Sequence, residues 1–351
     1  MKKIIADENC NMIILVWPFM YEQKPYWNQI INTFKEMILI LLENKNHVLI
    51  VTNNPKEIND KANEIYKENR LVDLKNNLHT FTYECNDIWI RDYGPIQVQN
   101  NVSNEYNLYG YNFNGYGNKY VHEKDKSFAD YFSKYFIKHS KDINYNLFEK
   151  PFDDLIIEGG NVQSNKNGLI IFNRKCLLKN NKGNWNSIKQ YFDDAVKKYY
   201  INDYLFFDLD PITGDDTNGH LDNLIRIYNE NLVFYMSSND IEHPDFYLLQ
   251  ELKQQLEALQ NKTSNIKQII PINHTTDDIV LNQQSMMLPF SYLNFIITNN
   301  VIIFPANKNT KIESLDKILP FFNNKRNYLI NVEGLLNELG GLHCCSLNIS
   351  Y

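Results

Sequence analysis

Short apolar runs alternate along the chain with longer amphipathic stretches. The first run, Met12–Trp17, is closed by Pro18 and predicts a buried strand. In Trp27–Glu43, apolar residues recur at the spacing of one helix face, and Val48–Thr52 is the next strand signal. The pattern therefore alternates strands with helices, as in α/β proteins.

The same alternation continues to the C-terminal end. Further strand signals lie at Thr80–Tyr83, Leu155–Ile157, Gly168–Phe172, Tyr204–Phe207, Leu224–Tyr228, Leu232–Met236, Phe295–Thr298 and Val301–Phe304. Helical stretches lie at Ser127–Ile137, Trp185–Lys198, Pro244–Gln260 and Lys311–Phe321. Short strands, often paired and then followed by one helix, indicate repeated ββαβ-like units.

The composition is that of an ordinary globular chain with a mild acidic excess. The 351 residues are 43% hydrophobic, which is enough for a substantial core. No linker rich in Gly, Ser or Pro divides them, so we expect one continuous domain over residues 1–351. The 35 basic and 42 acidic residues give a net charge of −7. Nucleic acids and anionic membranes attract basic surfaces, so neither is expected as the main partner.

The cysteines and the N-terminal residues bear on the cellular compartment. Five cysteines are too few for a disulfide scaffold and odd in number, which is typical of a reducing compartment. Asp7, Glu8 and Asn9 interrupt any apolar core of a signal peptide. The longest aliphatic run, Met37–Leu42, is far shorter than the roughly 20 residues of a membrane helix. We therefore expect a soluble, cytoplasmic protein.

Four short segments combine glycine turns with ionisable residues, and most adjoin an apolar run. They are residues 86–95, 158–161, 215–223 and 340–346. In the first, Trp89 and Asp92 lie close together at what reads as a strand end. In the second, Glu158 ends a buried strand, and two glycines allow a tight turn or a close approach of the backbone to a ligand. Any one segment by itself has an ordinary structural explanation, but together they indicate a site.

The third and fourth segments contain a histidine and a thiol. On a strand, His220 and Asp222 would face the same side. They resemble two metal ligands, but a convincing third is missing, so we expect no metal. Cys344 is a candidate nucleophile, and His220 is the best candidate base. His343 would point away from Cys344 on a strand, which indicates a structural role, and only one of Cys344 and Cys345 is expected to face the site.

One thiol, one histidine and three separate carboxylates make an unusual combination. A protease triad needs one orienting carboxylate rather than Asp92, Glu158 and Asp222 together. A planar guanidinium, in contrast, presents N–H donors that pair with several carboxylates. Its carbon is more electrophilic while the group stays protonated. The residues therefore favour nucleophilic chemistry on a small cationic guanidino compound.

These segments, in this order, resemble the agmatine deiminase family, which is grouped with bacterial peptidylarginine deiminase-like proteins among the guanidino-group-modifying enzymes. The matching stretches are residues 86–95, 158–160, 216–223, 291–295 and 341–344, with further likeness at 14–18 and 113–117. The resemblance implies an α/β fold, namely a five-bladed α/β propeller, or pentein, of ββαβ units around a central cleft. The candidate residues recur roughly once per blade, which agrees with that fold.

The resemblance also assigns roles to single residues. It makes Cys344 the nucleophile and His220 the general acid and base, with Glu158 orienting His220. It makes Asp92 and Asp222 the clamps on the guanidinium nitrogens. Trp89 would pack on the substrate, and Asn294 would line the site near Cys344. No cofactor is implied.

The substrate follows less directly. Peptidylarginine-directed relatives bind a carboxylate through arginines in the segment that corresponds to residues 111–116, and this segment holds no Arg or Lys here. Agmatine, which lacks that carboxylate, fits better and would give N-carbamoylputrescine and ammonia. Free arginine, peptidyl-arginine, another guanidine, amidino transfer and a non-catalytic binding protein remain alternatives. A homodimer and the role of Cys345 are left open.

Overall fold

The computed structural model describes residues 2–60, 76–100, 105–139, 145–199, 203–263 and 265–351. It is built from sheets that repeat one connection pattern. In the clearest example, Ile225–Tyr228 pairs antiparallel with Leu232–Ser237, which pairs in parallel with Gln268–Asn273. Parallel neighbours need a crossover, and the helix Phe246–Lys262 supplies it. This is the ββαβ unit that the sequence pattern predicts.

Two further sheets have three strands in the same order. One comprises Val162–Ser164, Leu169–Asn173 and Asp203–Phe207, with the helices Arg174–Asn181 and Trp185–Tyr199 in its crossover. The other comprises Ile296–Ile297, Val301–Ala306 and Arg326–Asn331. Its crossover contains the 3₁₀ turns Ile312–Leu315 and Leu319–Phe322. A small hairpin, Val280–Leu281 with Met287–Leu288, lies between these units in the sequence.

Two four-stranded sheets complete the set. In one, Lys2–Ile4, Ile96–Asn100, Tyr106–Asn112 and Tyr145–Ile156 lie side by side, and the helix Glu123–His139 connects the last two strands. In the other, Ser346–Ile349 pairs with Met12–Val16, which continues to His47–Thr52 and Leu78–Thr82. The helix Trp27–Glu43 makes the first crossover of that sheet. A C-terminal strand thus closes a sheet begun by N-terminal strands. In the described part of the chain, the five sheets of three or four strands form the α/β propeller that the sequence predicts.

The central strands of these sheets are buried. Met12–Val16 and Leu169–Asn173 are inaccessible along their whole length, as expected of strands covered on both faces. One large hydrophobic cluster includes Phe34, Phe234 and Phe304, and a smaller one surrounds Phe192. Among the described helices, none combines the length and the apolar character that spanning a lipid bilayer requires.

Most predicted elements are confirmed, and one helix is wrong. Trp27–Glu43 is helical over the predicted range. Lys311–Phe321 is not an α-helix, because only two short 3₁₀ turns form there. Pro320 occupies the start of the second turn. It lacks an N–H donor and its ring collides with the preceding turn of an α-helix, so an uninterrupted helix is unfavourable.

Candidate active site

A small acidic cavity lies where loops from several sheets meet. Its volume is about 100 Å³, and Trp89, Asp92 and Cys344 are among its walls. The remaining wall residues are Tyr21, Asp87, Tyr116, Tyr120, Asp216, Thr217, Asn337, Glu338, Leu339 and Gly340. Within the described parts of the chain, no Lys or Arg lines it. The cavity is therefore suited to a cationic ligand.

Asp92 is fixed from two directions. Its Oδ1 accepts a hydrogen bond from the backbone N–H of Gly160 at 2.8 Å, and its Oδ2 accepts one from the Tyr116 hydroxyl at 2.8 Å. Tyr116 adopts a left-handed backbone conformation with φ 58°, which is unfavourable for a residue with a Cβ. Burial raises the pKa of Asp92 to about 7. Tyr116 was not among the candidate site residues, because it lies outside the four segments that combine glycine turns with ionisable residues.

Glu158 and the two glycines after it pack directly against the other site residues. A Cβ on Gly159 would lie 1.9 Å from the carbonyl oxygen of Arg91, and one on Gly160 would lie 2.5 Å from Nδ1 of His220. Neither distance is compatible with a side chain. The glycines therefore allow the backbone to approach Arg91 and His220 closely, and Glu158 and Asp92 lie on opposite sides of His220.

His220 lies between two carboxylates. Its Nε2 is 2.7 Å from Oε2 of Glu158, and its Nδ1 is 3.6 Å from Oδ1 of Asp92. The ring is 1% exposed, and burial by itself lowers its pKa. The charges of Asp92 and Glu158 outweigh burial and raise the pKa of His220 well above its usual value. The imidazole of His220 therefore binds a proton tightly.

His220 and Asp222 do not lie on a strand, so the same-side geometry of a strand does not apply to them. His220 precedes the 3₁₀ turn Leu221–Asn223, and the strand begins only at Ile225. The turn brings Asp222 to the C-terminal segment instead. There, Oδ2 of Asp222 lies 2.7 Å from Nδ1 of His343 and 3.6 Å from Sγ of Cys344. Although burial opposes it, the hydrogen bond from His343 lowers the pKa of Asp222 and favours its charged form.

The thiol of Cys344 is enclosed by polar groups. Its Sγ lies 3.2 Å from Nδ2 of Asn294, and Oδ1 of Asn294 accepts a hydrogen bond from the His343 N–H at 2.9 Å. Burial, and then the charges of Asp222 and Asp92, raise the pKa of Cys344 well above its usual value. In the free protein the group is therefore a thiol rather than a thiolate.

The residues beside Cys344 do not lie on a strand, because Ser346–Ile349 begins after them. The alternation of faces expected for His343 and Cys344 is accordingly wrong, and both contact Asp222. Cys345 points elsewhere, and its buried thiol donates to the Leu342 carbonyl oxygen at 3.4 Å.

A second layer of charge supports the site from behind. Asp7 contacts Nε2 of His343 at 3.0 Å, Arg226 at 3.0 Å and Arg91 at 3.5 Å. Although burial opposes it, Arg91 and His343 hold the pKa of Asp7 below its usual range. The sequence analysis missed Asp7 and Arg226, since neither adjoins a recognisable motif. Through His343 they fix the position of Asp222.

Two carboxylate oxygens at the site remain unsatisfied. Among the described residues, neither Oε1 of Glu158 nor Oδ1 of Asp222 has a hydrogen-bond partner, although both atoms are buried. A buried carboxylate oxygen without a partner carries a large desolvation cost. The structure thus brings the predicted residues together and leaves acceptors for a cationic donor. The set comprises Trp89, Asp92, Glu158, His220, Asp222, Asn294 and Cys344.

Five ββαβ-type sheets arranged around a cysteine, a histidine and several carboxylates define a protein of the pentein class. More particularly, the chain belongs to the Porphyromonas-type peptidyl-arginine deiminase family, whose model matches residues 7–349.

Individual proteins give the same result. A curated relative from Marinomonas sp. (strain MWYL1), provisionally named an agmatine deiminase, is 24% identical over 81% of this chain and 79% of the relative. The structure of C. jejuni agmatine deiminase with substrate bound superposes with a TM-score of 0.81 at 22% identity, over 100% of this chain and 97% of that one. Agmatine deiminase of Enterococcus faecalis gives a TM-score of 0.76 at 19% identity, over 99% and 95%. The similarity to these structures establishes the fold.

Proposed function

We propose that the protein hydrolyses the guanidino group of agmatine to N-carbamoylputrescine and ammonia, with Cys344 as the nucleophile. The observation that carries this proposal is the pair of buried, unpartnered carboxylate oxygens on Glu158 and Asp222 beside a buried thiol. A guanidinium supplies a positive charge and N–H donors in a planar fork, so it can neutralise these carboxylates and also donate hydrogen bonds to their unpartnered oxygens.

The substrate charge also accounts for how a protonated thiol becomes a nucleophile. Burial, together with the charges of Asp222 and Asp92, raises the pKa of Cys344 and holds the thiol in its neutral form in the free protein. A bound guanidinium offsets those two charges, so the thiolate is less disfavoured once the substrate is present. The nucleophile is thus formed mainly when its target lies beside it.

The covalent step then follows from the positions of Cys344 and His220. The Cys344 thiol releases its proton to solvent, and its sulfur forms a bond to the guanidinium carbon. His220 gives its proton to the departing nitrogen, the C–N bond breaks, and ammonia leaves. This produces an S-alkylthiouronium on Cys344.

Hydrolysis completes the cycle. Water attacks the same carbon and gives a proton to His220, the C–S bond breaks, and the ureido product and the free thiol are formed. Glu158, 2.7 Å from His220, supports the charged imidazole during both steps.

The cavity walls favour agmatine over arginine. Asp87 and Asp216 line it, and Tyr21 and Tyr120 donate their hydroxyls to these two carboxylates. Burial raises the pKa of Asp87 to about 6, so it is charged at neutral pH. The ammonium of agmatine would meet anions there, whereas the carboxylate of arginine would be repelled. The names of the relatives from Marinomonas, C. jejuni and Enterococcus faecalis support the same substrate.

The direct test is a ureido-product assay of the purified protein with agmatine, arginine and a peptide that ends in Arg. We expect product and ammonia in equal amounts from agmatine. Turnover of arginine without agmatine would contradict the substrate, and no turnover of any of the three would contradict the reaction. Cys344→Ala should be inactive, while Cys345→Ala serves as the matched control for loss of a neighbouring buried thiol.

The compartment is part of the same proposal. The five cysteines are unpaired and buried, and a thiol nucleophile requires that Cys344 stay reduced. A reducing compartment, the cytoplasm, therefore suits this chemistry.

A further inference from the structure

A second thiol, Cys176, lies beside the candidate base and has no part in the proposed reaction. Its Sγ is 3.6 Å from Oε2 of Glu158, the same oxygen that lies 2.7 Å from Nε2 of His220. One ligand atom from each of these three residues falls within 4.8 Å of the others, and all three side chains are buried.

This arrangement is held by the secondary structure around it. Cys176 is in the first turn of the helix Arg174–Asn181, and the Asn173 side chain caps that helix. Nδ2 of Asn173 also donates to the carbonyl oxygen of Gly219 at 2.8 Å, which ties the helix start to the loop that carries His220. The thiol therefore keeps its place next to the imidazole.

The sulfur–oxygen separation matches that of a tetrahedral zinc centre. With Zn–S of about 2.3 Å and Zn–O of about 2.1 Å, a tetrahedral ion separates sulfur and oxygen ligands by about 3.6 Å. That is the distance between Cys176 Sγ and Glu158 Oε2. Nitrogen and oxygen ligands need about 3.4 Å, so His220 and Glu158 would move apart by about 0.7 Å. The unpartnered Oε1 of Glu158 is a further available ligand atom.

We propose that Cys176, Glu158 and His220 form a binding site for zinc or a similar thiophilic divalent cation, and that its occupation inhibits the enzyme. Metal binding forms bonds to sulfur, carboxylate oxygen and Nε2. The Cys176 thiol and the protonated imidazole each release a proton to solvent. Thr217 lines the cavity, and its carbonyl oxygen lies 3.8 Å from the Cys176 sulfur, so the site adjoins the substrate cavity.

The inhibition, but not the metal binding, rests on the proposed function. With the metal on Nε2, the imidazole carries a proton only on Nδ1, the nitrogen that faces Asp92, and giving that proton to the departing ammonia would leave an imidazolate. Glu158, as a metal ligand, no longer stabilises the protonated imidazole. A metal at this site opposes turnover, so a chelator should not lower the activity of the metal-free enzyme.

Cobalt(II) is the probe that decides binding without any activity measurement. The titration is made in a Cys344→Ala background, which removes the other thiol near the cavity. We expect one equivalent of cobalt and a thiolate-to-cobalt absorption band. The band should disappear on adding Cys176→Ser or Cys176→Ala and persist with the control Cys85→Ser. The proposal would be overturned if both Cys176 variants were folded by circular dichroism and showed an unchanged band. It would also be overturned if the Cys344→Ala protein showed no thiolate-to-cobalt band.

Zinc inhibition of agmatine hydrolysis is the second readout. We expect zinc to inhibit the unmodified enzyme and a chelator to restore activity. Cys176→Ser should raise the half-inhibitory zinc concentration by at least about tenfold, measured against that variant's own activity. Equal zinc sensitivity of Cys176→Ser and the unmodified enzyme would overturn the inhibitory role. If the enzyme hydrolyses no guanidine, the cobalt titration still decides whether the site exists.

Discussion

Replacing Asp222 by Asn is expected to change the reactivity of Cys344 and the turnover in opposite directions. Oδ2 of Asp222 lies 3.6 Å from Sγ of Cys344, and both residues are buried. At an effective dielectric constant of 20, two unit charges at this distance repel each other by about 4–5 kcal/mol. In the free protein, the carboxylate therefore strongly disfavours the thiolate.

The amide of Asp222→Asn removes that repulsion. Nδ1 of His343 also lies 2.7 Å from this oxygen of Asp222, and thiolates of lower basicity are weaker nucleophiles. Only part of the repulsion energy should therefore appear as a faster alkylation rate. We expect alkylation of Cys344 by iodoacetamide at pH 8 to become about 10- to 100-fold faster. Agmatine hydrolysis should instead fall about 100- to 1,000-fold, because one charged partner of the guanidinium is lost.

The assay follows alkylation of the Cys344 peptide by mass spectrometry, beside the ureido-product assay on the same samples. Asp277→Asn is the control, because Asp277 is 72% exposed in a surface ion pair with Lys311. That variant should alter neither rate. A folded Asp222→Asn protein whose Cys344 reacts no faster than the unmodified one would refute the electrostatic argument, whatever its turnover.

Three further outcomes follow from the site and its support. Burial raises the pKa of Asp92 to about 7, and binding of the guanidinium needs the charged form of Asp92. The kcat/KM for agmatine should therefore fall about tenfold per pH unit below pH 7. A flat pH profile down to pH 5 would contradict this. Gly160→Ala would place a Cβ 2.5 Å from the buried imidazole of His220 and should lower activity at least about 100-fold. Gly183→Ala is the control and should leave activity unchanged, because the atom nearest to its Cβ would lie 3.6 Å away. Arg226→Met should lower the free energy of unfolding in urea by about 3–5 kcal/mol, because it removes a buried charge partner of Asp7. The surface ion pair between Arg174 and Asp208 should contribute below about 1 kcal/mol. Equal losses of stability from the two pairs would contradict the role of burial.

Strands with alternating or polar sequences escaped the sequence analysis. Polar residues interrupt the apolar ones in Ile96–Asn100 and flank them in Arg326–Asn331, and most side chains of the latter are at least partly exposed. Each forms because its backbone pairs with an adjacent strand, such as Val301–Ala306 for Arg326–Asn331. A pattern of hydrophobic positions does not reveal such strand pairing, because the hydrogen bonds are made by the main chain and not by the side chains.

The site divides in a similar way. Short segments with glycine and ionisable residues pointed to Cys344, His220 and Asp222, because functional groups near strand ends leave a local trace in the sequence. None of the three lies on a strand, so the strand geometry considered for them does not apply. Residues that act from a distance, such as Asp7, left no trace of this kind.

The sequence by itself determined the repeating ββαβ pattern and the chemical groups that the site contains, because both depend on residues close together in the chain. Only the tertiary structure decided how those groups are paired. Asp7 and His343 are 336 positions apart, and Cys176 belongs to a helix that no motif marks, yet each lies against the site. Such contacts arise when five sheets close around one centre, and that closure depends on packing between units rather than on any local pattern.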